Sequence, residues 1–229
     1  MNAERPRQLV MDLAGAPAMG RDDFIEAPAN QAARDCLALP EWPTGILVLT
    51  GPAASGKSHL AAIWAADNTA VTYAASDPAL AAFAAGTRPL VVTGCDDGFA
   101  DETALFHLAN EARLGVARML LTGEREPEFW RVSTPDLASR LRGALRARIG
   151  DPDDALVEAL FVKHCADRQL EIEAPALRSA LARVERSYAF VARVVARLDE
   201  EAMRQRRAPS RSLLLSILAD MQQSEPPAD

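Results

Sequence analysis

With 229 residues, 49% of them hydrophobic and 25% charged, the chain is long enough to bury a sizeable core and fits one main domain plus a small appendix. Its net charge of −7 argues against general binding to nucleic acid or to anionic membrane, since both reward a basic surface. No apolar run approaches the roughly 20 residues that span a bilayer, and Met1 to Arg7 lead into no secretory apolar core, so a cytoplasmic chain is expected. Cys36, Cys95 and Cys165 are far apart and lack metal-ligand spacing, and they read as buried thiols in a reducing compartment.

Residues 1–20 carry Pro6, Gly15, Pro17 and Gly20, a composition that suits an extended tail. Within it, Gln8-Leu9-Val10-Met11-Asp12-Leu13 has the make-up of a groove-docking peptide, with Gln8 to hydrogen-bond and Leu9, Met11 and Leu13 to fill pockets. The residues alone fit a tail folded back on its own domain equally well. Phe24-Ile25 is a short apolar touch-down, followed by a helix over 30–37 with Asn30 as the expected N-cap. Pro40 and Pro43 then precede the apolar run Ile46-Leu47-Val48-Leu49-Thr50, a strand.

Straight after that strand stands Gly51-Pro52-Ala53-Ala54-Ser55-Gly56-Lys57-Ser58, which matches Gly-x4-Gly-Lys-Ser. Gly51 and Gly56 let the backbone turn tightly and approach a phosphate without a Cβ in the way. The turning backbone presents N–H donors into an anion nest at the start of the next helix, which opens with His59. Lys57 would reach the terminal phosphates, and the Ser58 hydroxyl would ligate Mg²⁺. A glycine turn matching by accident is the bland alternative. It is disfavoured because the chain has only two lysines, Lys57 and Lys163, and one of them falls in the motif.

Further strands are expected at 71–74, 90–93 and 117–122, with helices over 77–85 and 101–114 between them. Alternating strands and helices imply a parallel sheet covered on both faces, with ligands beyond the carboxyl ends of the strands. Gly150-Asp151-Pro152 is a composition break. Beyond it the chain reads as helices over 154–168, 174–184, 187–206 and 210–221, with Leu156, Leu160, Val162, Val191, Val194, Val195 and Leu198 at core spacing. The expected division is a tail over 1–20, a core over 21–150, a helical part over 151–223 and a disordered end over 224–229.

Four features stand in order: the phosphate loop, Leu90-Val91-Val92, Leu120-Leu121-Thr122-Gly123, and Pro135-Asp136-Leu137-Ala138-Ser139-Arg140-Leu141. With the helical part behind them, they resemble the AAA+ ATPase module of the DnaA family and, within it, the Hda group of regulatory inactivators of DnaA. The resemblance runs over essentially the whole chain. It implies an α/β fold: an AAA+ P-loop NTPase core with a parallel sheet flanked by helices, plus a small all-helical lid. It also implies that Arg140 is an arginine finger acting in trans and that Phe24, Ile25 and Asn30 form the entry to an adenine pocket. Thr122 falls at the sensor-1 strand, and Arg186 is the nearest sensor-2 candidate, though a shift of one turn would put Ala189 there. Gln8 to Leu13 is similar to the group's sliding-clamp-binding peptide. The implied ligand is ADP or ATP, with Mg²⁺ open. The implied partners are the DNA polymerase III sliding clamp (beta subunit) and DnaA itself, and a homo-oligomer stays open. The helix-turn-helix domain of DnaA is not in the sequence, so no sequence-specific duplex binding is expected.

One departure bears on chemistry. The family's Walker B strand ends in an acid that helps hold Mg²⁺, whereas Leu90-Val91-Val92-Thr93 runs into Gly94, with Asp96 and Asp97 the nearest acids. Either Asp96 substitutes, or phosphates, water and Ser58 hold the metal. Weak hydrolysis or none is expected of the chain alone. Three functions follow as expectations: an adaptor that stimulates ATP hydrolysis by DnaA, a self-sufficient AAA+ ATPase of helicase-loader or motor type, and a non-hydrolysing ADP-binding module.

Overall fold

The computed structural model describes residues 19–83, 88–172 and 186–224. The expected tail peptide at residues 8–13 and the expected helix over 174–184 lie outside the described residues.

Five parallel strands form one sheet: β1 (Ile46–Thr50), β2 (Val71–Ala74), β3 (Leu90–Thr93), β4 (Met119–Gly123) and β5 (Leu145–Arg148), in the order β2-β3-β4-β1-β5. β1 lies between β4, where Leu47 faces Leu120, and β5, where Leu47 faces Leu145. The described α-helices are α1 (Pro28–Ala38), α2 (Lys57–Asn68), α3 (Glu102–Arg113), α4 (Pro135–Arg142), α5 (Asp154–Asp167), α6 (Tyr188–Gln205) and α7 (Arg211–Ser224).

Connection chirality decides which helix covers which face. The chain leaves β1 in one direction, crossing past β4 and β3 to β2, and every later crossover runs the other way. Right-handed crossovers travelling in opposite directions lie on opposite faces of a sheet. Accordingly α2 packs Leu60, Ala61 and Trp64 onto Leu47, Leu49, Val91 and Leu120. Leu80, α3 and α4 cover the alternate positions Ile46, Val48, Val92 and Leu121 on the other face. Both faces are covered, which is why β1 is apolar at successive positions and buried throughout. A third cluster, built from Phe161, Phe190, Val194, Leu198 and Leu214, holds α5, α6 and α7 together.

The structure corrects several expectations. The edge strand β5 carries no strand signal in the sequence reading, because Leu145-Arg146-Ala147-Arg148 has only two apolar residues. The helix expected over 77–85 is a 3-10 turn at Pro78–Ala82, opened by Asp77, whose carboxylate accepts from the Ala79 N–H at 2.8 Å. Asn30 is not the N-cap of α1, because Pro28 starts the helix earlier. Asn30 instead sits one turn in and reaches back, its amide accepting from the Ala27 N–H at 3.1 Å and donating to the Ile25 carbonyl at 2.9 Å. Val162 is 51% exposed and is not core. Cys36 is half-buried rather than buried, whereas Cys95 and Cys165 are buried. Among the described residues, no helix is long and apolar enough to cross a membrane.

The thiolate is the reactive form of cysteine, and burial pushes all three thiols upward, Cys165 to about 11. Access then separates them. At mildly alkaline pH the native protein is expected to release one prompt thiol equivalent with a disulfide reagent, lost in Cys36→Ser. The other two should react only on unfolding, and a second prompt equivalent would contradict this packing.

Candidate functional site

Beyond the carboxyl end of β1 the backbone turns through residues 51–56 into α2. Gly56 takes φ +94°, a conformation that L side chains rarely adopt. At Gly51 the constraint is space, since a Cβ there would stand 2.9 Å from the Ile149 carbonyl oxygen and 3.1 Å from Ser55 Oγ. Ala54 also holds a left-handed φ of +60°, a strained setting that clusters at ligand-binding loops. The Lys57 ammonium crosses the mouth of the loop and donates to the carbonyls of Gly51 at 2.8 Å and Pro52 at 2.7 Å. Burial lowers its pKa, and the charges of Glu124 and Asp96 act in the opposite direction.

Two cavities open on either side of this loop. The larger, about 530 Å³, is lined by Ala54, Lys57, Ser58, Gly94, Asp96 and Thr122, with Asp97, Glu124 and Arg125 at its rim. It lies where the crossovers leaving β1 and β4 diverge, the place in an open parallel sheet where ligands bind. The smaller, about 100 Å³, joins Phe24, Ile25, Asn30, Ser55, Gly56 and His59 of the core to Leu156, Lys163, His164 and Tyr188 of the helical part. Phe24 meets His59 edge-on at 5.3 Å, and His59 Nε2 lies 2.7 Å from the Gly20 carbonyl oxygen. The Tyr188 hydroxyl donates to the Gly150 carbonyl at 3.0 Å, fixing the start of α6 to the core.

The sequence-derived residues thus sort into two cavities that flank the loop. Phe24, Ile25, Asn30, Ser55, Gly56 and His59 come together at the small cavity, and Lys57, Ser58, Asp96 and Thr122 at the large one. Ala54 lines both, Gly51 and Pro52 hold Lys57, and Ala53 is exposed at the loop tip, outside both cavities. Arg186 lines neither cavity. It is exposed and pairs with Asp154 at 2.6 Å. Arg140 also lines neither. On α4 it is held against α3, its Nε–H donating to Asn110 Oδ1 at 2.6 Å and its guanidinium lying 4.5 Å from the centre of the Phe106 ring. The sequence reading missed Lys163, His164 and Tyr188; the scarcity of lysine was a signal that could have drawn attention to Lys163.

The donor set for Mg²⁺ is thin. Ser58 offers its hydroxyl, but Gly94 offers no side chain where β3 ends. Both oxygens of Asp96 are engaged, accepting from the Glu124 N–H at 2.7 Å and the Arg125 N–H at 2.9 Å. Arg131 N–H donates to the Asp96 carbonyl at 3.1 Å, and Trp130 Nε1 donates to the Arg125 carbonyl at 2.8 Å. Asp96 therefore latches the loop after β3 to the loop after β4. Among the described residues, no trio of acidic, histidine or cysteine side chains is placed to hold a metal. These residues do not assemble a protein-built magnesium site.

No protein-family model and no curated protein matches the sequence. Solved structures do share the fold. Domain III of the replication initiation protein DnaA from Thermotoga maritima superposes with a TM-score of 0.68 at 18% identity, covering 87% of this chain and 95% of that one. A replication initiator DnaA bound to AMPPCP and single-stranded DNA gives 0.60 at 16% identity, over 81% and 67%. A RuvB mutant from Thermotoga maritima gives 0.63 at 14% identity, over 89% and 72%. The parallel five-stranded sheet flanked by helices is the AAA+ fold that these proteins share.

Because the loop is built around two glycines, Gly51→Ala should cost stability even without ligand. Overpacking against a backbone carbonyl is expected to destabilise by about 1–3 kcal/mol, read from urea denaturation. Ala53→Ser, at the exposed tip, should stay within about 0.5 kcal/mol of the parent. Equal stabilities for the two variants would refute the packing described for the loop.

Proposed function

We propose that this chain is an adenine-nucleotide-binding regulatory AAA+ module of the Hda type. The observation that carries the nucleotide reading is the pair of cavities flanking the phosphate loop, which share Ala54: one lined by Lys57 and Ser58, the other walled by Phe24, Ile25, Leu156 and Tyr188. Flat apolar and aromatic walls suit a purine, and turned backbone with a lysine suits its phosphates. The AMPPCP-bound DnaA structure with the same fold lends support. Gly94 and the engaged carboxylate of Asp96 favour a bound nucleotide that is turned over slowly or not at all by the chain alone.

In the adaptor reading, residues 8–13 tether the module to the DNA-loaded sliding clamp, and Arg140 enters the site of ATP-bound DnaA. There its guanidinium would stabilise charge on the transferring phosphoryl group, and initiation would be restrained. The setting of Arg140 supports a role outside its own cleft, because it lines neither cavity and has its Nε–H and one face already fixed.

Two measurements test this in sequence. Both ADP and ATP are expected to raise the melting temperature, an effect absent in Lys57→Ala, with little phosphate released by the protein alone. Mixing with ATP-bound DnaA and DNA-loaded clamp should then accelerate phosphate release. Arg140→Ala should abolish most of that acceleration, given that a finger contributes on the order of 10³–10⁵ in rate. Brisk turnover by the protein alone, lost in Lys57→Ala, would select a self-sufficient ATPase instead. Nucleotide binding without any effect on DnaA would leave an ADP-binding module and remove the adaptor.

A further inference from the structure

The chain has two lysines among its 25 basic residues, and both line the cleft. Lys57 belongs to the phosphate loop. Lys163 comes from α5 in the helical part and lines the smaller cavity together with Ser55, Gly56 and His59. Its side chain is only 20% exposed, and Nζ is held by Asp167 one turn on, at 2.8 Å. Ser55, in the same lining, is 5% exposed, and its Oγ is buried with no hydrogen-bond partner.

The larger cavity differs. Among the described residues, every side chain that lines it comes from the core, none from α5, α6 or α7. Arg186, the cation nearest the place where the family resemblance puts a lid arginine, is turned to Asp154. Among the described residues, the helical part therefore meets these cavities at the smaller one, away from Gly94 and Asp96.

Resting on the nucleotide reading above, we propose that Lys163 is the lid's cationic contact to the nucleotide. It acts at the base, ribose and first phosphate, so that lid engagement does not distinguish ADP from ATP. An ammonium donates to purine ring nitrogens, ribose oxygens or a phosphate oxygen, and charge-assisted bonds of this kind are the strong ones. Asp167 keeps Nζ within reach of the cavity until a ligand oxygen or nitrogen shares it. Burial lowers the pKa of the neighbouring His164, so that ring adds no second positive charge at neutral pH.

Calorimetric titration of the full chain with ADP and with ATP tests this, using Lys163→Met beside Asp167→Asn. Both variants break the same ion pair on α5, but only the first removes the cation. Lys163→Met is expected to weaken ADP and ATP by the same factor, about tenfold, while Asp167→Asn stays within about twofold of the parent or binds more tightly. Melting curves without nucleotide should match for the two variants, which separates a lost contact from a damaged lid. Parental affinity in Lys163→Met, or a loss confined to ATP, would overturn the lid contact and leave the nucleotide reading standing. A parent protein that takes up neither nucleotide would overturn both.

Discussion

The arrangement depends on a buried polar corner. β1 is covered on both faces and flanked by a strand on each side, yet its last residue opens into a loop of backbone dipoles with an ammonium across it. A polar cradle set against so dry a floor costs free energy wherever its donors and acceptors go unsatisfied. Lys57 satisfies two carbonyls of the loop, and Ile149 N–H satisfies the Thr50 carbonyl at 2.8 Å. The sheet order supplies the rest. Because the chain leaves β1 one way and β4 the other, no helix crosses above their carboxyl ends, and the cleft is left open there. The site is thus a consequence of chirality and strand order before any side chain chemistry is considered.

The two ends of the cleft are built from different materials. Near β3 and β4 the lining is rich in carboxylates and polar backbone, and Asp96 is spent on tying two loops together through Glu124 and Arg125. Near α5 it is more aromatic and aliphatic, with Lys163 in the lining. A carboxylate accepting two N–H bonds is oriented by them and has fewer lone pairs left for a cation. The end of β3 thus carries a latch between two loops rather than a free carboxylate. In the nucleotide reading proposed above, that division favours holding the ligand over consuming it.

Local chemistry made the phosphate loop legible. Each of Gly51, Gly56, Lys57 and Ser58 is demanded by a geometric requirement confined to eight residues, so the motif could be read without any tertiary knowledge. β1, β3 and β4 were legible because strands buried on both faces are apolar runs. β5 was not, because an edge strand needs only one buried side and here alternates with Arg146 and Arg148, which lean toward Glu126 and Glu128. Asn30 was assigned the right kind of bond at the wrong place, since Pro28 fixes the first turn more strongly than an amide does. Lys163 was hidden for another reason. The core residues that share its cavity lie more than a hundred positions away, and periodicity within α5 carries no record of that placement. Periodicity also placed Val162 in the core, although it is half exposed on the far side of α5.

Arg140 gives the last step. Arginine on a short helix normally spends its guanidinium on solvent or a nearby acid, for little gain in stability. Here it is oriented by a neutral amide and a ring face, neither of which compensates its charge. A guanidinium held in this way keeps its full charge for an incoming oxyanion while losing little freedom on meeting it. The same chain has a cavity beside the Gly51–Ser58 loop without a free acid at the end of β3 and, elsewhere, an oriented arginine that lines neither cavity. In the adaptor reading each is one half of a phosphoryl-transfer site, and the two halves do not face each other. A second protein with its own nucleotide would complete the arginine's half, which is the physical content of the adaptor reading.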